Sequence, residues 1–132
     1  MRIFQALTVV LGMLAPMPML AQAQTLTGGD WQVADLPGIT LPPDATPTLS
    51  FSAEGRVAGH SGCNRFTGGW TQDGLQLTFT AMATTRMACD SARMEVEDRM
   101  LAALGAVTTL ALTPGGALEL LGSDGLLLRA TR

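Results

Sequence analysis

The sequence predicts a mainly β (α+β) fold: a small antiparallel sheet accompanied by one amphipathic helix. Three observations carry this. Short segments alternate apolar and polar residues with a period of two, turns rich in Gly and Pro separate them, and a single stretch repeats at helical spacing instead.

The strands follow in order. Residues 31–36 set Trp31, Val33 and Asp35 against Gln32, Ala34 and Leu36. Residues 37–47, with Gly38, Pro42 and Pro43, form a loop that interrupts regular structure without dividing domains. Residues 48–53 put Leu49 and Phe51 on one face, and residues 56–61 carry Val57 opposite Ala58. Residues 69–72 and 75–80 flank Asp73-Gly74, the strongest hairpin signal in the chain, with Leu75, Leu77 and Phe79 on one face. Residues 107–113, 117–121 and 126–131 repeat the pattern around Pro114-Gly115-Gly116 and the turn at 122–125.

Residues 92–104 break the rhythm. Val96, Met100, Ala103 and Leu104 recur at helical spacing, and Val107 extends the row. Asp90 or Ser91 suits the N-cap and Gly105 the end. Arg93 with Glu97, and Glu95 with Arg99, place opposite charges four apart. The apolar stripe needs a sheet to cover or the open end of a barrel to plug. Closure or a helical lid would also remove exposed strand edges.

The first residues read as an export signal. Met1 and Arg2 give a positive start, residues 3–20 are apolar but interrupted by Gly12, Pro16 and Pro18, and Ala21-Gln22-Ala23 suits signal peptidase. Residues 1–23 are therefore expected to be a signal peptide cleaved before Gln24. A spanning helix needs about 20 apolar residues, which the two prolines disfavour. No cysteine stands at the cleavage site for lipid attachment, the first being Cys63. A soluble periplasmic or secreted protein with no stable membrane span after cleavage is expected.

Residues 24–132 then form one domain, large enough to bury a core. They carry eleven acids against seven arginines and no lysine. Without a basic run, nucleic acid is an unsuitable partner, and so are anionic lipid headgroups.

Two islands concentrate the local chemistry: GCNRF at 62–66 and TTRMAC at 84–89. They hold Cys63 and Cys89, the only thiols. An even pair in an oxidising compartment usually becomes a disulfide, two buried free thiols being the alternative. Closing a loop of roughly 27 residues restricts the unfolded chain by about 3–4 kcal/mol. A zinc site built from His60, Cys63, Cys89 and Asp90 faces competition from oxidation and lacks a second metal-type pair. A Cys63 nucleophile with His60 as base suffers because residues three apart on a strand point to opposite faces. With one histidine, no lysine and no tyrosine, no catalytic, cofactor-binding or metal residues are assigned. The carboxylates fall mainly in turns and on the helix, where solvation explains them.

Arg65 and Arg86 each accompany a cysteine. Either they serve structure, donating to carbonyls or pairing with Glu95 or Asp90, or they form a small anion-binding contact patch. Asn64 suits a left-handed turn, and Gly62, Gly68 and Gly69 ease a tight bend. Trp31, Phe51, Phe66 and Trp70 are core candidates. Met82, Met87, Met94 and Met100 either line a soft pocket or fill gaps in the core.

Several short sequences fall in a telling order: Gly29-Asp30-Trp31, Leu49-Ser50-Phe51 before Gly55-Arg56-Val57, GHSGCNRF at 59–66 followed by Thr67-Gly68-Gly69-Trp70, and ATTRMAC at 83–89. Leu75 to Phe79, a helix ending near 101–104, and Leu118-Glu119-Leu120 complete it. This order resembles the META domain, the family of the bacterial heat-shock protein HslJ, also met as a domain of unknown function. The motif positions are Gly62, Cys63, Asn64, Arg65, Phe66, Thr85, Arg86, Met87 and Cys89. Some members carry a lipid-attachment cysteine that this signal lacks. The resemblance implies a small β-barrel-like, lipocalin-like fold packed against one helix, with a poorly defined role associated with envelope stress and drug tolerance. The expected function is thus a non-enzymatic, monomeric periplasmic protein that supports stress tolerance by binding. Its partner would be an envelope protein met through the two cysteine loops, or an apolar small molecule, lipid or drug, held in the barrel; no cofactor is expected.

Overall fold

The computed structural model describes residues 8–13 and 26–132. The described residues form nine strands and one helix: β1 (Trp31–Asp35), β2 (Thr48–Phe51), β3 (Arg56–His60), β4 (Arg65–Asp73), β5 (Gln76–Phe79), β6 (Ala83–Thr84), α1 (Ser91–Ala106), β7 (Thr109–Leu112), β8 (Leu118–Gly122) and β9 (Gly125–Thr131). The proposed cleavage triplet, Ala21 to Ala23, lies outside the described residues. Val9, Val10, Leu11 and Met13 stand exposed. No helix among the described residues is long and apolar enough to cross a membrane.

Every strand pairing is antiparallel. The order β3-β2-β1-β9-β8-β7-β5-β4 returns on itself because β3 also pairs with β4, so eight strands close a ring. Closure leaves few open strand edges, the hazard that the sequence pattern raised. The narrowest join is β5 to β7: one ladder pair, Gln76↔Thr109, with the Leu77 amide donating to Thr108 and the Leu110 amide to Leu75.

β6 continues β5 along the same edge of β4. Asp73↔Gln76 and Trp70↔Phe79 are followed by Thr67↔Ala83, so three steps on β4 oppose four on its neighbour. The extra residue is a bulge. Gly69 pins it: its amide donates to Thr80 Oγ1 at 2.9 Å, and its carbonyl accepts from the Thr80 amide at 3.0 Å.

The alternating residues meet in one core. Trp31, Val33, Leu49, Phe51, Val57, Phe66, Leu77, Leu110, Leu118, Leu120 and Leu128 are all buried. The Trp31 indole donates to the Leu26 carbonyl at 3.0 Å, which satisfies its polar atom. Phe51 meets Trp70 edge-on and stacks on Phe79, with ring centroids 5.3 and 6.0 Å away. Trp70 is only partly buried, at the margin of this core. Phe66 faces Gly59 across β3 and β4, and the absent side chain of Gly59 leaves room for the ring.

Two strand assignments shift. A register irregularity between Val33 and Asp35 leaves Asp35 exposed and turns Leu36 inward, the reverse of strict alternation. In the β4–β5 hairpin Asp73 pairs with Gln76, so the two loop residues are Gly74 and Leu75. Gly74 has φ +60° and no other residue type in the described chain has positive φ. A positive φ at the first loop position alone suits a type II′ turn, where glycine belongs. Leu75 therefore sits exposed in the turn and not on the inner face.

The helix matches its apolar stripe. Asp90 caps it by accepting from the Arg93 amide at 2.9 Å, and Val96, Met100, Ala103 and Leu104 are buried. It runs past Gly105 to Ala106, with Val107 as its C-cap. Leu36, Leu126 and Leu127 flank it on one side, Phe79 and Met82 on the other, so it spans the ring. Large apolar side chains buried here each stabilise the fold by about 1.5–3 kcal/mol.

The charge pairs along the helix differ from the i, i+4 expectation. Arg93 reaches away to Asp44 at 2.7 Å, and Arg99 points to the Pro37 carbonyl at 3.5 Å. Glu97 is turned inward.

Candidate functional site

The two islands meet at one corner of the ring. β3 ends at His60, and the chain turns tightly, the Ser61 amide donating to the Asn64 carbonyl at 2.8 Å. The positive φ of this turn falls on Gly62 (+109°), not on Asn64. A Cβ on Gly62 would lie 2.8 Å from Val96 Cγ1, so the helix packs directly on the bare glycine. His60 Nδ1 accepts from the Gly62 amide at 3.1 Å. β4 starts at Arg65, inside the first island.

Cys63 and Cys89 form a disulfide with their Cα atoms 6.0 Å apart. Both sulfurs are used, which removes the zinc and nucleophile readings of Cys63. The bond fits an oxidising compartment.

Asn64 is the hub of the corner. Its Oδ1 accepts from the Met87 amide at 2.6 Å and from Thr85 Oγ1 at 3.0 Å. Its Nδ2 donates to the Met87 carbonyl and to Glu97 Oε2, both at 3.1 Å. One side chain thus ties the first island to the second and both to α1. The Arg65 amide adds a bond to Thr85 Oγ1 at 3.1 Å.

Glu97 completes the cluster. Its Oε1 accepts from Ser61 Oγ at 2.6 Å and from the Asn64 amide at 2.9 Å. The residue is 6% exposed. Burial pushes its carboxyl up, but the hydrogen bonds from Ser61 and Asn64, with the field of His60, outweigh this and hold it below its ordinary value. It is therefore an ionised carboxylate inside the protein, neutralised by donors and not by an ion pair among the described residues. Every buried side-chain polar atom among the described residues has a partner.

The sequence pairs Glu97 with Arg93 on the helix surface and gives Ser61 no role of its own, so neither is expected in this buried cluster. The signal existed: Glu97, Met100 and Leu104 follow 3–4 spacing, which places the acid on the buried stripe.

Arg65 and Arg86 are exposed at this corner, and neither guanidinium has a bonding partner among the described residues. The pairings with Glu95 or Asp90 are not formed. Other arginines are engaged: Arg93 with Asp44, Arg129 with Glu119 at 3.3 Å, and Arg132 above the Trp31 ring at 3.9 Å. The methionines divide. Met100 is core, Met82 and Met94 are half-buried, and Met87 is exposed.

The META domain matches residues 24–132. The chain belongs to the META-domain family. A solution NMR structure of a Burkholderia xenovorans protein is similar in fold, with a TM-score of 0.66 and 27% identity over 81% of this chain and 83% of that one. A second NMR structure has a TM-score of 0.61 and 25% identity over 77% of this chain and 86% of the other. No curated protein matches the chain.

Proposed function

We propose that this META-domain chain is exported, loses residues 1–23, and acts in the periplasm as a monomeric contact module that supports envelope stress tolerance by binding, not by turnover. The observation that carries this is the corner where Asn64 and Glu97 bind both cysteine islands into one fixed surface, with Arg65 and Arg86 presented from it unpaired. A disulfide and a buried hydrogen-bonded network favour a pre-organised face over a mobile one, and pre-organisation lowers the cost of binding.

The rival reading, a lipid or drug carried within the ring, has less support. The inward side chains of the strands and of α1 pack into a single cluster, and a carrier needs a lined cavity of some 300 Å³ or more inside. The depressions of about 440 and 380 Å³ beside α1 open to the surface.

In-cell cross-linking of the exported chain tests the proposal. Wild type should form an adduct with another envelope protein, and Arg65→Ala/Arg86→Ala should lose it while folding unchanged. Intact mass of the exported form should begin at Gln24. Retention in the cytoplasm, or an adduct indifferent to both arginines, would overturn the reading.

A further inference from the structure

β6 stands outside the closed ring, and its outer edge has no strand beside it among the described residues. The Thr85 amide donates to the Arg65 carbonyl, while Phe66 and Thr84 are Cα partners. In an antiparallel ladder the bonded positions alternate. The N–H and C=O of Thr84 therefore project away from β4, toward open space. Residues 83–88 are exposed apart from their anchor at Asn64.

That open edge faces the helix. Thr84 borders two surface depressions, of about 440 and 380 Å³. Leu101 and Leu104 line the first, Met94 and Glu97 the second. These four recur at 3–4 spacing, one side of α1. The two depressions thus follow one helix face for ~15 Å at ~1.5 Å per residue. That length takes about four to five residues of extended chain at ~3.3 Å each.

The lining has a definite chemistry. Met82, Met87 and Met94 offer adaptable apolar surface. Arg86 lies in the wall of the second depression with no guanidinium partner among the described residues. Glu97, in the same wall, is bonded through both oxygens to Ser61 and Asn64.

We propose that the trough between β6 and α1 takes an extended segment of another polypeptide as an added strand. Its backbone pairs with Thr84, its alternate apolar side chains sit against Met82, Met94 and Leu101, and a carboxylate meets Arg86. Strand addition at an open edge draws affinity from main-chain bonds and selectivity from side-chain pockets. This rests on the contact-module reading and names the partner's form.

Panning a phage-displayed library of random 12-residue peptides against the mature chain tests it. Recovered peptides should alternate apolar residues and carry an acid, and a synthetic copy should slow hydrogen exchange at the Thr84 amide. Thr84→Pro removes an N–H that the β4 ladder does not use, and should weaken binding at least tenfold where Thr84→Ala does not. N-methylating alternate peptide amides should do the same with the protein untouched, which covers the case in which the proline variant misfolds. No enrichment over blank, or peptides that leave Thr84 exchange unchanged, would overturn the proposal, as would a dimer of this chain abolished by Thr84→Pro. Should the cross-linked envelope partner depend on Arg65 and Arg86 yet tolerate Thr84→Pro, the trough is wrong and the contact module stands.

Discussion

Ser61 and Glu97 lie 36 positions apart in sequence and 2.6 Å apart in space. The hydroxyl just after β3 donates to a carboxylate on the second turn of α1, and the same carboxylate accepts from the Asn64 amide. Closing the corner of the ring thus requires a charge inside the protein. The cost of burying it is offset only while all its donors stay in place.

Replacing Glu97 should therefore be severe. Glu97→Gln puts an amide where three donors converge, the Ser61 hydroxyl, the Asn64 amide and Asn64 Nδ2, so at least one of them meets another donor. The expected loss is about 2–4 kcal/mol. A urea titration should show a lower midpoint at unchanged slope, the mark of lost stability without a change in exposed surface.

Acid should act through the same group. The folded carboxyl is held below the ordinary glutamate value of 4.5. A depressed acid contributes stability that is fully present above the unfolded value and disappears as pH falls through the folded one. Urea midpoints should thus be level near neutrality and drop from about pH 4.5 downward. Glu97→Gln should flatten that drop. Asp44 is also lowered, by its hydrogen bond to Arg93, but it is solvent-exposed, and Asp44→Asn should leave the profile nearly unaltered.

The disulfide and Asn64 hold the same strap, residues 84–89, by different means. Cys63→Ala/Cys89→Ala should cost about 3–4 kcal/mol, mainly through a freer unfolded chain. Met87 remains bonded to Asn64 through both its amide and its carbonyl, so its amide should stay protected from exchange in the reduced, folded chain. Immediate exchange there would show that the sulfur bond alone keeps the strap in place.

Two glycines should respond in opposite directions. A Cβ on Gly59 would fall on the Thr48 carbonyl oxygen and come within 2.8 Å of the Phe66 ring. Backbone cannot yield as a side-chain tip does, so Gly59→Ala should cost about 2–3 kcal/mol. Gly105 lies in α1 with nothing near its missing Cβ, and Gly105→Ala should gain about 0.5–1 kcal/mol. Thermal unfolding of the two variants checks both signs.

What the sequence conveyed was periodicity, and it conveyed this well. Leu49 and Phe51, the helix stripe from Val96 to Leu104, and the Cys63–Cys89 pair all sit as their spacing or compartment implied. It failed where one residue of slippage reverses a face. The irregularity after Val33 sends Leu36 inward, and the shifted hairpin turn puts Leu75 outside. β6 is too short for any periodic signal; it exists because the extra residue between Thr80 and Ala83 realigns the chain with β4. Glu97 was hidden by residue type. An acid four positions from an arginine reads as a surface pair, and only the tertiary donors Ser61 and Asn64 make the inward rotamer favourable.

Arg65 and Arg86 separate contact from scaffold. A guanidinium that supports the fold is bonded to it, as Arg132 is to the Thr27 carbonyl and the Trp31 ring. Arg132→Ala should therefore cost about 0.5–1 kcal/mol even on the surface. Arg65 and Arg86 have no such bonds among the described residues, and their removal, singly or together, should change stability by less than about 0.5 kcal/mol. Matched urea curves for Arg65→Ala/Arg86→Ala and wild type, set against a lowered midpoint for Arg132→Ala, are the expected result. A loss of several kcal/mol in the double variant would make the pair structural, and the corner would no longer be a surface kept for a partner.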